Sequence, residues 1–211
     1  MIDSAHYITS YTYDGANNVV TLTYPTGETV TQGYDGAERP ATLSGSAAGT
    51  LVCNTLYNQL GSMSEIDLGN GLNTVFKYHG IDTLEGGEPA NYYGKLYRIE
   101  TFLPATPPDP DVVRQDQRYW WDASGNLAVR TDAVASETEN FTYDFLDRLA
   151  TASGPYSQTY AYDILGNITD FNGTAYTYGT KPHAVTSVGA YTQSYDANGN
   201  MTGRANATGT Q

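Results

Sequence analysis

An aromatic residue followed by Asp, or by a residue standing in its place, recurs along the whole chain, and no other feature limits the fold so tightly. The pairs are Tyr13-Asp14, Tyr34-Asp35, Tyr57-Asn58, Tyr78-His79, Trp121-Asp122, Tyr143-Asp144, Tyr162-Asp163, Tyr178-Gly179 and Tyr195-Asp196, at steps of 21, 23, 21, 43, 22, 19, 16 and 17 residues. A period of this size marks a chain built from one supersecondary unit stacked on copies of itself. The long step reads as a unit carrying insertions, DTLEGGEPANYY at 82–93 and the Pro-rich PATPPDPDVV at 104–113.

Within a unit, two short alternating runs flank a turn, as in SYTYD-GANN-VVTLTYP-TGE-TVTQGYD. Val20, Leu22 and Tyr24 share a face by period two, as do Val30 and Tyr34, so each unit reads as a β-hairpin. An Asp at the end of a strand can accept backbone N–H groups two or three residues on and close an Asx turn, with the Gly and Asn that follow supplying positive φ. DANGN (196–200), DASGN (122–126), DILGN (163–167) and DFLDR (144–148) are four versions of that corner. The preceding Tyr or Trp is expected to stack on its equivalent in the next hairpin.

Composition agrees: 22 Gly and 19 Tyr suit turns and strands. No segment keeps a 3.6-residue apolar period for long, although Val112 to Arg118 allows a helical turn or two. Ten basic residues against 23 acidic ones, a net charge of -13, exclude nucleic acid and disfavour anionic membrane surfaces. No run reaches the roughly 20 apolar residues that cross a bilayer, so no membrane insertion is expected, and the opening MIDSAHYITSYTYD lacks the features of a signal peptide. Cys53 is the single cysteine, which excludes an internal disulfide framework; a small buried apolar role is expected of it.

Chemistry finds few candidates. DANGN resembles part of a calcium loop, but the later ligands of an EF-hand are missing. His6, His79 and His183 accompany no Gly-x-Ser-x-Gly elbow; His79 occupies the Asp slot of a repeat, and a corner role is expected for it. Paired carboxylates for glycoside hydrolysis are available, yet each corner Asp already has a structural task. GNGLN (69–73) lacks the Lys of a phosphate loop and reads as a hairpin turn. Sequons at Asn140, Asn167, Asn172 and Asn206 follow from abundant Asn and Thr. Adjacent Trp120 and Trp121 face opposite sides of a strand, which makes them candidate sugar contacts. No enzyme activity, cofactor or metal is expected.

With these corners in register, the sequence resembles the RHS/YD-repeat family: bacterial wall-associated and polymorphic-toxin proteins, the C components of insecticidal toxin complexes, and teneurin shells. YDFLDRLATASG, YAYDILGNITDF and SYDANGNMTGR carry the resemblance most clearly. It implies an all-β array of antiparallel hairpins in one long curved sheet, a partial YD-shell, with residues 1–211 as one segment of about nine units in a larger chain. Roughly eighteen strands at about 4.8 Å would span on the order of 85 Å. The family's Asp-Pro-x-Gly self-cleavage motif is not in this sequence, so the segment is expected to precede that core. The implied role is a secreted or cell-surface wall enclosing a C-terminal cargo, with the rest of the same polypeptide as partner. The alternative is a module binding cell-surface glycans. A β-propeller is the rival fold, since two steps near 22 make a blade, but the shrinking steps toward the C-terminus argue against a closed ring. Those steps predict shorter strands there.

Overall fold

The computed structural model describes residues 7–81, 92–206 and 209–210. His6 and most of the first insertion, residues 82–91, lie outside the described residues. The chain forms two compact units, Met1–Tyr119 with Asp132–Ser136, and Trp120–Thr131 with Glu137–Gln211.

The first unit is a meander of β1 (Ser10–Tyr13), β2 (Val19–Thr23), β3 (Thr29–Tyr34), β4 (Pro40–Gly45), β5 (Gly49–Tyr57), β6 (Met63–Leu68), β7 (Asn73–Tyr78), β8 (Leu96–Leu103) and the start of β9 (Val112–Trp121). Every strand pairs antiparallel with its sequence neighbour. Pairing continues unbroken from β4 to β5 and from β8 to β9, where a propeller of four-stranded blades would separate. Residues 104–111 of the Pro-rich second insertion are the loop between β8 and β9, and its last two, Val112 and Val113, open β9.

The second unit holds β10 (Leu127–Asp132), which ends at its border, then β11 (Glu137–Tyr143), β12 (Leu149–Ser153), β13 (Ser157–Tyr162), β14 (Ile168–Phe171), β15 (Thr174–Tyr178), β16 (Val185–Val188), β17 (Tyr191–Tyr195), β18 (Met201–Asn206) and the two-residue β19 (Gly209–Thr210). From β11 onward each strand again pairs with the next, antiparallel. The all-β hairpin array is therefore as the sequence implies.

Period two sorts the side chains by size. In the first unit, Thr12, Thr21, Thr31 and Ser44 follow one another across β1 to β4, while Tyr11, Leu22 and Val30 do so on the opposite face. In the second, Thr177, Ser187, Thr192 and Ala205 line one face of β15 to β18, and Tyr176, Val188 and Tyr191 the other. Hydroxyl pairs lace the small-residue face, as between Thr12 and Thr21 and between Thr142 and Thr151, each at 2.6 Å. Ala152 is the one fully buried apolar residue among those described. Each unit is thus a sheet whose large side chains shelter one another, rather than a two-layer domain around an oily centre.

Three expectations need correction. Val112–Arg118 is strand, because Val113 pairs with Phe102 and Arg118 with Arg98. Cys53 is exposed: Val52 pairs with Leu68 and Asn54 with Asp67, which leaves Cys53 as the extra residue of a bulge. The glycine that directly follows Asp in the YDGA corners does not supply the positive φ; Asn17 (φ 69°) and Glu38 (φ 61°), three residues after the Asp, do.

Candidate functional site

The most elaborate construction in the molecule is the corner that each aromatic-Asp pair makes, and its parts repeat with little change. At Asp14 the backbone N–H bonds to the carbonyl of Asn18, and the N–H of Asn17 returns to the carbonyl of Asp14. The same pair of bonds closes the corners at Asp35, Asn58, Asp122, Asp144, Asp163 and Asp196. This five-residue loop needs a left-handed residue at its fourth position. Gly61, Gly125, Gly166 and Gly199 stand there, with Asn17, Glu38 and Asp147 in the other three corners.

The side chain fixes what the backbone begins. One oxygen of the Asp accepts the N–H groups two and four residues on: Ala16 and Asn18 at Asp14, Ala37 and Arg39 at Asp35, Leu146 and Arg148 at Asp144, Leu165 and Asn167 at Asp163, Asn198 and Asn200 at Asp196. Asn58 does the same with its amide oxygen, to Leu60 and Ser62. The second carboxylate oxygen accepts from the side chain four residues on, an amide at Asn18, Asn126, Asn167 and Asn200, or the guanidinium of Arg39 and Arg148. These donors hold the carboxyls below their ordinary range. The side-chain bond leads at Asp35, Asp144, Asp163 and Asp196, and the backbone N–H four residues on leads at Asp14 and Asp122.

Corners are then fastened to one another, and here the structure differs from the expected aromatic stacking. Every repeat tyrosine after Tyr13 reaches back with its hydroxyl to a backbone carbonyl of the preceding unit: Tyr34 to Val19, Tyr57 to Pro40, Tyr78 to Met63, Tyr143 to Leu127, Tyr162 to Leu149, Tyr178 to Ile168 and Tyr195 to Val185, at 2.6–2.9 Å. In all but the last, the acceptor lies five residues after the preceding unit's Asp or Asn. The contact is thus polar and directional; the ring pairs among the described residues include His79 with Tyr92 and Tyr97, and Tyr160 with Phe171. The residue four after the Asp reaches the other way. Arg148 donates to the carbonyl of Asp163 at 2.9 Å and stacks over Tyr162, Asn126 donates to Asp147, Asn167 donates to the carbonyl of Pro182, and Arg39 lies over Tyr57. Sequence reasoning named the Asp and missed this fifth residue, although the shared Asn or Arg endings of DANGN, DASGN, DILGN and DFLDR signal it.

The remaining candidates fall in with this frame. His79 is buried, its N–H bonded to the carbonyl of Lys95 and its ring between Tyr92 and Tyr97. His183 meets the side-chain oxygen of Asn167 through Nδ1 at 2.7 Å. Trp120 is 37% exposed and Trp121 half-buried. The densest charge cluster lies away from the corners, on β8 and β9: Arg98 grips Asp116 at 2.7 and 3.0 Å and Glu100 at 2.7 Å, and Arg118 meets Asp116 at 3.1 Å. Burial pushes the Asp116 carboxyl up, and the bonds from Arg98 and Arg118 more than reverse it. Among the described residues no group of three or more His, Cys, Asp or Glu is placed to hold a metal ion.

No family model matches the chain, and no curated protein does. Solved structures do. The crystal structure of TcdB2-TccC3-Cdc42 superposes on 94% of this chain with a TM-score of 0.67 at 19% identity, and that of TcdB2-TccC3 without its hypervariable C-terminal region on 92% with 0.67 at 18%. The Photorhabdus luminescens Tc holotoxin pore carrying a TccC3 mutation superposes on 94% with 0.66 at 19%. The chain covers 12% of the length of each of these chains. Over nearly all its length it has the fold of a stretch of the TcdB2-TccC3 chains, as the YD-repeat resemblance implies.

Proposed function

We propose that this chain is a stretch of wall in a secreted or surface-exposed β-shell that encloses a C-terminal cargo such as a toxin, and that its task is mechanical rather than catalytic. The observation that carries the reading is the tyrosine-to-carbonyl tie repeated from hairpin to hairpin. It lets a sheet one layer thick hold its shape without a buried core, which is what a wall requires and a compact enzyme does not. The corner carboxylates, spent on backbone N–H groups, fit the same role. The shared fold with TcdB2-TccC3, one form of which is described as lacking a hypervariable C-terminal region, supports a constant wall joined to a variable segment. Among the described residues no helix is long and apolar enough to cross a membrane. Limited proteolysis of a polypeptide containing this chain and its C-terminal segment tests the proposal. The segment should resist cleavage until the wall is denatured, and cleavage as fast as that of the isolated segment would contradict it.

A second reading, glycan binding at a cell surface, draws on the exposed indole of Trp120. Glycan-array binding abolished by Trp120→Ala would favour it, and an array without signal would remove it.

A further inference from the structure

Asparagine followed by glycine occurs at Asn70-Gly71, Asn172-Gly173 and Asn198-Gly199, each time in an exposed turn between two strands. Because glycine has no side chain, its backbone nitrogen can approach the side-chain carbonyl carbon of the asparagine before it. Gly71, Gly173 and Gly199 hold φ of 85°, 77° and 89°, so neither exposure nor backbone region separates the three turns. Hydrogen bonding does. At Asn172 both reacting groups are held: Oδ1 accepts the N–H of Thr159 at 2.7 Å, and the N–H of Gly173 is given to the Asp170 carboxylate at 2.8 Å. At Asn70 the hold is weaker, with Oδ1 accepting the N–H of Leu72 at 3.1 Å and the N–H of Gly71 reaching the carbonyl of Leu68 at 3.0 Å. At Asn198 the side-chain amide meets no partner among the described residues, and the N–H of Gly199 makes only a 3.2 Å bond to the carbonyl of Asp196.

We propose that Asn198 is a site of self-modification, converting to aspartate and isoaspartate in the folded chain while Asn172 is preserved. The Gly199 nitrogen bonds to Cγ of Asn198 and gives up its proton, the side-chain nitrogen leaves as ammonia, and a five-membered succinimide remains. Water then opens the ring. Attack at Cγ breaks the new bond and leaves aspartate; attack at the backbone carbonyl breaks the original peptide bond and leaves isoaspartate, whose main chain runs through the former side chain. The net change is one amide and one water to one carboxylic acid and ammonia. Ring closure from a hydrogen-bonded turn requires the turn to open locally first, so the least tethered site reacts first. The isoaspartyl product lengthens the main chain by one methylene inside the corner from β17 to β18. There one oxygen of Asp196 accepts the N–H groups of Asn198 and Asn200, each at 2.9 Å, and the longer backbone breaks that spacing, so the corner opens where the modification falls.

Peptide mapping by mass spectrometry, on the intact chain incubated in mildly alkaline buffer, follows the three sites side by side, and labelling by an isoaspartyl methyltransferase reports the isoaspartate. Asn198 should convert first, about threefold faster than Asn70 and roughly tenfold faster than Asn172, the worth of one and of two further hydrogen bonds. In denaturant the three rates should converge. Asn198→Ser takes the residue that stands at the same place in the corner at 122–126, Ser124; it should leave the far-UV circular dichroism unchanged and remove the early methyltransferase signal. Equal rates at the three sites in the folded chain, conversion of Asn70 or Asn172 ahead of Asn198, or an Asn198 that keeps its amide over the time in which the denatured chain loses it would each overturn the proposal.

Discussion

At the scale of single residues, an acidic side chain is used as a fastener rather than as a reagent. Each corner carboxylate accepts from backbone and side-chain donors that it finds only in the folded chain, and its pKa is lowered accordingly. A group whose folded pKa lies below its unfolded value adds stability above the unfolded pKa, near 3.8 for Asp, and loses it as pH falls through the folded value. The tie-forming Tyr143, Tyr162 and Tyr178 mirror this. Burial raises their pKa, so they stabilise the fold below pH 10 and cease to as pH rises through the folded values. Denaturant unfolding across pH should therefore give a plateau between about pH 5 and 9 and decline on both sides; a midpoint at pH 2.5 equal to that at pH 7 would be inconsistent with these bonds. Glu38 holds a left-handed φ of 61° where the equivalent corners use Gly61, Gly125, Gly166 and Gly199. Glu38→Gly should stabilise the chain by about 0.5–1 kcal/mol, once the entropy of the added glycine is set against the relieved strain. Thermal or urea unfolding checks the sign.

At the scale of elements, the hairpins were legible from sequence and their fastening was not. Alternation of Thr with Val, Leu and Tyr gives strands of known face, and Asp with Gly three residues later gives the corner. What a linear reading of Tyr13-Asp14 and its echoes lacks is direction: stacking and hydrogen bonding both want an aromatic there, and only coordinates show the hydroxyl reaching a carbonyl 10 to 17 residues earlier. Bulges hide for the same reason, since Cys53 sits in a strand pattern and yet has no partner across the sheet. The shortening steps accompany shorter strands late in the chain, four to six residues in β12 to β18 against six to nine in β3 to β8, although β1 and β2, at four and five, are as short. Residues of β8 and β9 were likewise opaque, because Arg98, Glu100, Asp116 and Arg118 lie on two strands joined by the Pro-rich loop. Asp116 is 6% exposed between two guanidinium groups. Asp116→Ala would leave Arg98 and Arg118 facing each other across the strand pair and should cost about 2–4 kcal/mol, read from urea unfolding. A loss under about 0.5 kcal/mol would mean that the cluster is solvated and structurally idle.

At the scale of the whole molecule, stability is spread along the sheet instead of gathered in a core. Fully buried apolar residues reduce to Ala152 among those described, so the free energy comes from many local pairings, each between neighbours in sequence. That is the energetic pattern of repeat architectures, in which intrinsic unit stability and nearest-neighbour terms add. It suits the long wall proposed above, and it makes the tie between units the term on which the arrangement depends. The exposed corner residues Phe145 and Ile164, 90% and 95% exposed, contribute little to it. The direct measurement is equilibrium unfolding of a chain in which Tyr34, Tyr57 and Tyr78 are all replaced by Phe, which removes three consecutive hydroxyls and keeps every ring. With each tie contributing about 1 kcal/mol, the variant should lose roughly 2–4 kcal/mol while its β-sheet spectrum persists at low denaturant; stability within about 0.5 kcal/mol of the parent chain would contradict the account.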